Sequence, residues 1–219
     1  MSAGDYVFGG RREPEVPHTT EARGAAGVAR AVSQRIGFPA GWWGIAMVIA
    51  SEATLMGCFV GTYFYLRLRA VEWPPAGIPD PRVVVPIVMA LVLATTSVPM
   101  LLASRAARTG RLTATRGFLL LALFVQAGYL AYEIHDFQDQ LKKFTPHTNA
   151  YGSIYYTLLG ADHAHVAVGM LFVLWLLWKL TRGLTTYRAN GVVAISWYWH
   201  FVNVLTLIVT GTLVSAVPL

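Results

Sequence analysis

Residues 153–180 read SIYYTLLGADHAHVAVGMLFVLWLLWKL. The run contains one acid, Asp162, and one lysine, Lys179, the latter next to its end. At 1.5 Å rise per residue it is long enough to cross a ~30 Å hydrocarbon layer with some tilt. Its interior nevertheless holds Asp162, His163 and His165. A carboxylate at the centre of a membrane helix costs roughly 2.5–3.5 kcal/mol on insertion scales. Such a residue persists where it pairs with another inside a bundle, or where it serves a proton or ligand pathway.

Four further spans of the same kind flank this one. The first runs from Gly41 to Leu66, the second from Val83 to Ala103, the third from Gly117 to Ile134 and the fifth from Val192 to Val217. Trp42 and Trp43 at the start of the first span, and Tyr63 and Tyr65 at its end, read as interfacial belts. Pro74, Pro75, Pro79 and Pro81 forbid helix between the first two spans. Residues 1–38 are polar, rich in Gly, Ala and Pro, and bear arginine, which predicts a flexible basic tail. No apolar segment follows Met1, so no cleaved signal peptide is expected. The predicted organisation is therefore a tail over 1–38 and a membrane domain over 39–219, all-α, with five transmembrane helices and no internal repeat.

Composition agrees. Of 219 residues 55% are hydrophobic and 13% charged, far from the average soluble domain. The net charge of +6 does not point to nucleic acid, because the basic residues lie in the connections between apolar spans. A single cysteine, Cys58, excludes an internal disulfide and a cysteine-based metal cluster. It reads as a small buried hydrophobe in the first span.

The same basic residues set the orientation. Arg11, Arg12, Arg23, Arg30 and Arg35 lie in the tail, Arg105, Arg108, Arg111 and Arg116 around the second-to-third connection, and Lys179, Arg182 and Arg188 around the fourth-to-fifth. The opposite side mixes Arg67, Arg69, Arg82, Lys142 and Lys143 with Glu72, Asp80, Glu133, Asp136 and Asp139. The positive-inside rule then places the amino terminus in the cytoplasm and Leu219 outside.

Glu52, Asp162 and His165 fall at similar depths, about 14–18 Å from the ends of their spans by helical rise, and are expected to meet near the midplane. Asp162 and His165 share a helix face at i, i+3, as do His200 and Asn203, whereas His163 points about 100° away from Asp162. The foremost reading is a structural polar network binding helices together. A proton path built on buried Glu and His is a second, and metal or haem ligation by His165 and His200 a third. His163 and His165 at i, i+2 do not face one metal on a helix. Asp162 with His165 resembles half of a di-iron site, but that site needs a second such pair and two further carboxylates. Gly57 and Gly61 on the first span, and Gly160 and Ala164 on the fourth, form small-residue stripes that predict close packing of these spans. Trp175, Trp197 and Trp199 read as belt or core. His18, His135 and His147 read as solvated surface, and no phosphate loop or nucleophilic triad is present.

Tyr155-Tyr156-x3-Gly160-x4-His165-Val166-x2-Gly169 resembles the signature helix of the haem-copper oxidase subunit III (cytochrome c oxidase subunit 3) family. Tyr198-Trp199-His200-Phe201-Val202-Asn203 resembles the start of that family's last helix, where Tyr-Trp-His-Phe-Val-Asp is usual. Ser51-Glu52, followed by Phe59 and Tyr63, is similar to the helix that bears its buried glutamate, and Gln126 to a glutamine of its antepenultimate helix. The resemblance covers roughly residues 40–217. There are three departures. Asp162 stands for the first histidine of His-Gly-x-His-Val, Asn203 for Asp, and Tyr129 stands where a Glu often follows the glutamine.

The resemblance implies the short form of a seven-helix family, lacking its first two helices. The family's lipid-filled cleft is then left open or completed by another chain. It also implies an accessory subunit with no catalytic residue, redox centre or metal site of its own. Haem and copper sit in partner subunits. The main contact is the catalytic subunit I, with subunit II and other respiratory subunits beside it. Phospholipid is bound, and the location is a bacterial-type plasma membrane. Cytochrome c is the expected electron donor, with quinol oxidase and nitric oxide reductase subunits as related alternatives. A proton-coupled transporter using Glu52 and Asp162, and a cytochrome using His165 and His200, are the readings from other classes. The resemblance implies that Glu52, Asp162, His163, His165, His200, Asn203 and Gln126 form a buried network supporting proton supply. At least one of the two acids is expected to be protonated or paired with His165.

Overall fold

Proline closes the first helix off from the second, while Asn149 and Thr185 cap the starts of the last two long helices and Gly110 and Gly183 follow helix ends. The computed structural model describes residues 40–79 and 81–216. The predicted tail, Asp80 and residues 217–219, with the expected end of the last span, lie outside the described residues. Among the described residues there are six helices: α1 (Ala40–Arg69), α2 (Val84–Thr95), α3 (Ser97–Arg108), α4 (Leu112–Leu141), α5 (Ala150–Leu180) and α6 (Thr186–Val214). Helices α2 and α3 join at Thr96 into one membrane-length span, so the helices make five spans, as expected.

Two expected boundaries are corrected. The third span is not 117–134 but Leu112–Leu141, and the fifth begins at Thr186 rather than Val192. Hydropathy falls where polar residues enter a helix, but the backbone hydrogen-bond ladder does not depend on hydropathy. The helix therefore runs on through Glu133, Asp136 and Asp139. Side-chain caps mark the starts of α5 and α6. Asn149 accepts from the Gly152 amide at 2.9 Å at the start of α5, and Thr185 from the Arg188 amide at 3.3 Å at the start of α6. Beyond α5, Gly183 takes φ +94°, a turn conformation that glycine adopts without penalty, and the Arg116 guanidinium donates to the last α5 carbonyl, that of Leu180.

Helix α6 is central and touches α1, α2, α3 and α5, while α4 packs on α2, α3 and α5. Among the described helices α1 rests on α5 and α6, and it exposes its outer face, including Trp43, Met47 and Tyr65. Water provides no drive for helix pairing inside a bilayer, so close van der Waals packing and interhelical polar contacts must hold such a bundle together. The tightest approach is between α5 and α6, where a Cβ on Gly169 would overlap the Trp199 ring. Trp199 is fully buried in the apolar cluster with Leu93, Met100, Leu119 and Val166. A second cluster lies toward the α1–α2 loop end, where Met56 and Tyr63 of α1 join Tyr151, Ile154 and Leu158 of α5, with Trp73 of the loop packed against it.

The expected small-residue contact between the first and fourth spans is also corrected. A Cβ at Gly57, Gly61 or Gly160 would meet no atom within 4 Å, and Ala164 is exposed. Helices α1 and α5 do touch, but through the face bearing Glu52, Met56 and Tyr63; helical periodicity turns Thr54, Gly57, Gly61 and Tyr65 outward. Cys58 shares that outer side and is exposed rather than buried.

Candidate functional site: a divided polar network

The mid-bundle polar residues separate into three groups, each joining different helices. The first joins α1 to α5. His165 Nδ1 lies 2.6 Å from the Ala161 carbonyl oxygen, and Nε2 lies 2.9 Å from Glu52 Oε2. A carbonyl oxygen only accepts, so Nδ1 carries a proton. One further proton then occupies the line between Nε2 and Oε2. Whichever atom holds it, the pair has no net charge, and its two helices avoid the cost of an isolated ion in hydrocarbon. The Glu52 side chain keeps 34% exposure, because α1 is an edge helix.

The second group joins α5 to α4 and α6. Asp162, only 2% exposed, accepts from the Thr206 hydroxyl of α6 at 2.8 Å. His163 Nε2 lies 3.4 Å from Glu133 Oε2 of α4, and the edge of Phe137 packs against the imidazole. The expected meeting of Glu52, Asp162 and His165 is therefore only partly realised. The i, i+3 spacing leaves Asp162 and His165 far enough apart around α5 that one turns toward α6 and the other toward α1. His163, set aside on geometric grounds, finds a partner of its own.

The third group ties α6 to the junction of α2 and α3. The Trp199 indole N–H donates to Thr96 Oγ1 at 2.6 Å, and Asn203 Nδ2 donates to Ser97 Oγ at 2.7 Å. Trp199 is thus core, and it also carries a polar role. His200 does not join Asn203. It lies 3.4 Å from Ser196 Oγ, in a groove between α3 and α6 that Arg105 and Arg108 also line. Gln126 is fully buried, and neither of its amide atoms has a hydrogen-bond partner among the described residues. The same holds for Asn203 Oδ1.

Sequence reasoning missed Glu133, Thr206, Thr96 and Ser97. A third span over 117–134 sets Glu133 in its last turn, beside the outer-side charges Asp136 and Asp139. The signal lay in spacing. Gln126, Tyr129, Glu133, Asp136 and Gln140 recur at three- and four-residue intervals, one polar stripe on one face of α4. The hydroxyl partners carry no hydropathy signal at all.

A site that holds an ion needs several ligands converging on one point, and among the described residues no three His, Cys, Asp or Glu side chains come together in that way. His165 has both ring nitrogens engaged, and His200 faces a different helix, so the two do not form a bis-histidine pair. The arrangement can hold helices in register and can hold protons at the Glu52–His165 line and at Asp162.

The profile of the family described as cytochrome c oxidase subunit III matches residues 29–213. The chain belongs to this family. Among curated relatives, the cytochrome c oxidase subunit 3 of Bacillus sp. (strain PS3) is 38% identical over 89 residues, covering 39% of this chain and 42% of the relative. That of Pisaster ochraceus is 28% identical over 172 residues, covering 75% and 65%. That of Bacillus subtilis (strain 168) is 28% identical over 169 residues, covering 75% and 79%. The chain thus spans less than two thirds of the length of the first two. Glu52 and His165 are the pair that joins α1 to α5. Trp199 of α6 packs directly on Gly169 of α5.

Proposed function

We propose that this chain is the accessory subunit III of a respiratory haem-copper terminal oxidase in a bacterial-type plasma membrane, with cytochrome c as the electron donor. It supports assembly, phospholipid binding and sustained proton uptake during oxygen reduction. Haem and copper belong to the partner subunits, chiefly the catalytic subunit I, with subunit II beside it. The amino terminus is cytoplasmic. Family membership over residues 29–213 carries this reading. The geometry supports it, because Glu52 pairs with His165 and Asp162 accepts from the Thr206 hydroxyl, and the exposed apolar face of α1 suits a partner subunit or bound lipid. The transporter reading required Glu52 and Asp162 to act together, but their partners lie on different helices.

Gentle solubilisation and purification through a tag on this chain tests the proposal. A large haem-copper polypeptide that co-purifies and oxidises reduced cytochrome c is the expected result. A lone chain, or a complex without haem, overturns it. A Soret band from the separated single chain overturns the claim that the redox centres lie in the partners.

A further inference from the structure

Near the α1–α2 and α4–α5 loop end, a cavity of about 50 Å³ enters the bundle between the start of α2 and helices α4, α5 and α6. Its volume exceeds the roughly 10–15 Å³ that one water needs. Its outer part is marked by Arg82 and Asp136, joined at 3.0 Å, with the Arg82 side chain half-exposed. Further in it is lined by Glu133, Tyr129 and Tyr155, and at depth by Asp162. Four of the lining residues belong to the polar stripe of α4, which spans about 21 Å from Gln126 to Gln140 at 1.5 Å per residue. Gln126 lies one turn further in on that same face, fully buried, its amide atoms without protein partners among the described residues. Buried polar atoms are satisfied by protein or by ordered water, and of this stripe it is the Gln126 amide that calls for water. Asp162 accepts from Thr206 of α6, shares the cavity wall with Glu133 and Tyr129 of α4, and has His163 and His165 as neighbours on α5.

We propose that this cavity is a hydrated proton-exchange site connecting the Asp162 carboxyl to the aqueous phase at the α1–α2 and α4–α5 loop end. A proton leaves a cavity hydronium and forms an O–H bond on the Asp162 carboxylate; water is released and no electron changes hands. The site is separate from the Glu52–His165 pair, which joins α5 to α1. It does not rest on the oxidase reading, because every group it uses lies in this chain.

Two measurements on the complex purified with this chain test it. Radiolytic footprinting in H₂¹⁸O reports residues beside bound water. The expected result is label on Tyr129 and Tyr155; label on exposed Tyr65 with none on these two overturns the proposal. Infrared difference spectra follow the carboxyl C=O band that Asp162→Asn removes. In D₂O the band is expected to shift within the mixing time, and Thr210→Phe, which fills the cavity wall, is expected to slow that shift. Exchange in the unaltered protein only over minutes to hours, the signature of local opening, overturns the proposal. So does the absence of any Asp162-dependent band at every pH at which the complex stays intact. Should Asp162→Asn fail to assemble, the footprint of the unaltered protein decides.

Discussion

His165 is held by two oxygens of different kinds, a backbone carbonyl and a carboxyl, and the difference fixes its chemistry. The Ala161 carbonyl demands a proton on Nδ1, so only Nε2 is free to trade one with Glu52. Glu52→Gln keeps a side chain that still reaches Nε2. It is expected to leave assembly intact, to cost no more than about 1 kcal/mol, and to shorten activity over many turnovers. His165→Leu strands the Glu52 carboxyl on an edge helix and is expected to cost roughly 1–3 kcal/mol. Unfolding in mixed detergent micelles orders the two; equal midpoints would remove the pair from the account. Gly169 makes a second residue-scale case. Gly169→Ala drives a methyl into the Trp199 ring and is expected to destabilise by about 1–3 kcal/mol. Gly57→Ala on the open face is expected to stay within about 0.5 kcal/mol in the isolated chain. The same unfolding assay separates them.

The second span is two helices because Pro99 has no N–H to offer the Thr95 carbonyl. The break at Thr96 is then used. Its hydroxyl donates to Leu93 O at 2.5 Å and accepts the Trp199 indole at 2.6 Å. Thr96→Val keeps the shape and leaves a buried indole N–H without an acceptor. It is expected to cost about 1–3 kcal/mol, while Thr96→Ser is expected to cost less than half of that. A loss as large in Thr96→Ser would assign the effect to packing rather than to the hydrogen bond. Helix α4 shows why part of the site was hidden. Its apolar stretch suggests an end near Ile134, which sets Glu133 at the rim, but the helix and its polar stripe continue to Gln140 and Glu133 turns inward to His163. Hydropathy averages over all faces of a helix, so a single polar face that runs outward looks like a loop.

Across the whole bundle, burial is uneven. Helix α6 is enclosed by four neighbours, whereas α1 has two and turns an apolar and small-residue surface outward. That asymmetry fits a chain made to sit against other polypeptides or firmly bound lipid. A photo-crosslinking residue in place of the exposed Leu55 is expected to capture a partner subunit in the intact complex. Capture of lipid alone would place the partner against another face.

Five spans, their order and the polar residues within them were legible in the chain, because length and hydropathy alone decide whether a helix can cross a bilayer. The family was legible too, since its motifs are short and contiguous. The pairing of those polar residues was not. Asp162, His163 and His165 sit within one turn of α5, yet they reach α6, α4 and α1 respectively. Which neighbour each side chain meets depends on how α5 is rotated and which helices surround it. Packing sets that rotation, through contacts such as Gly169 against Trp199, and no local spacing contains it.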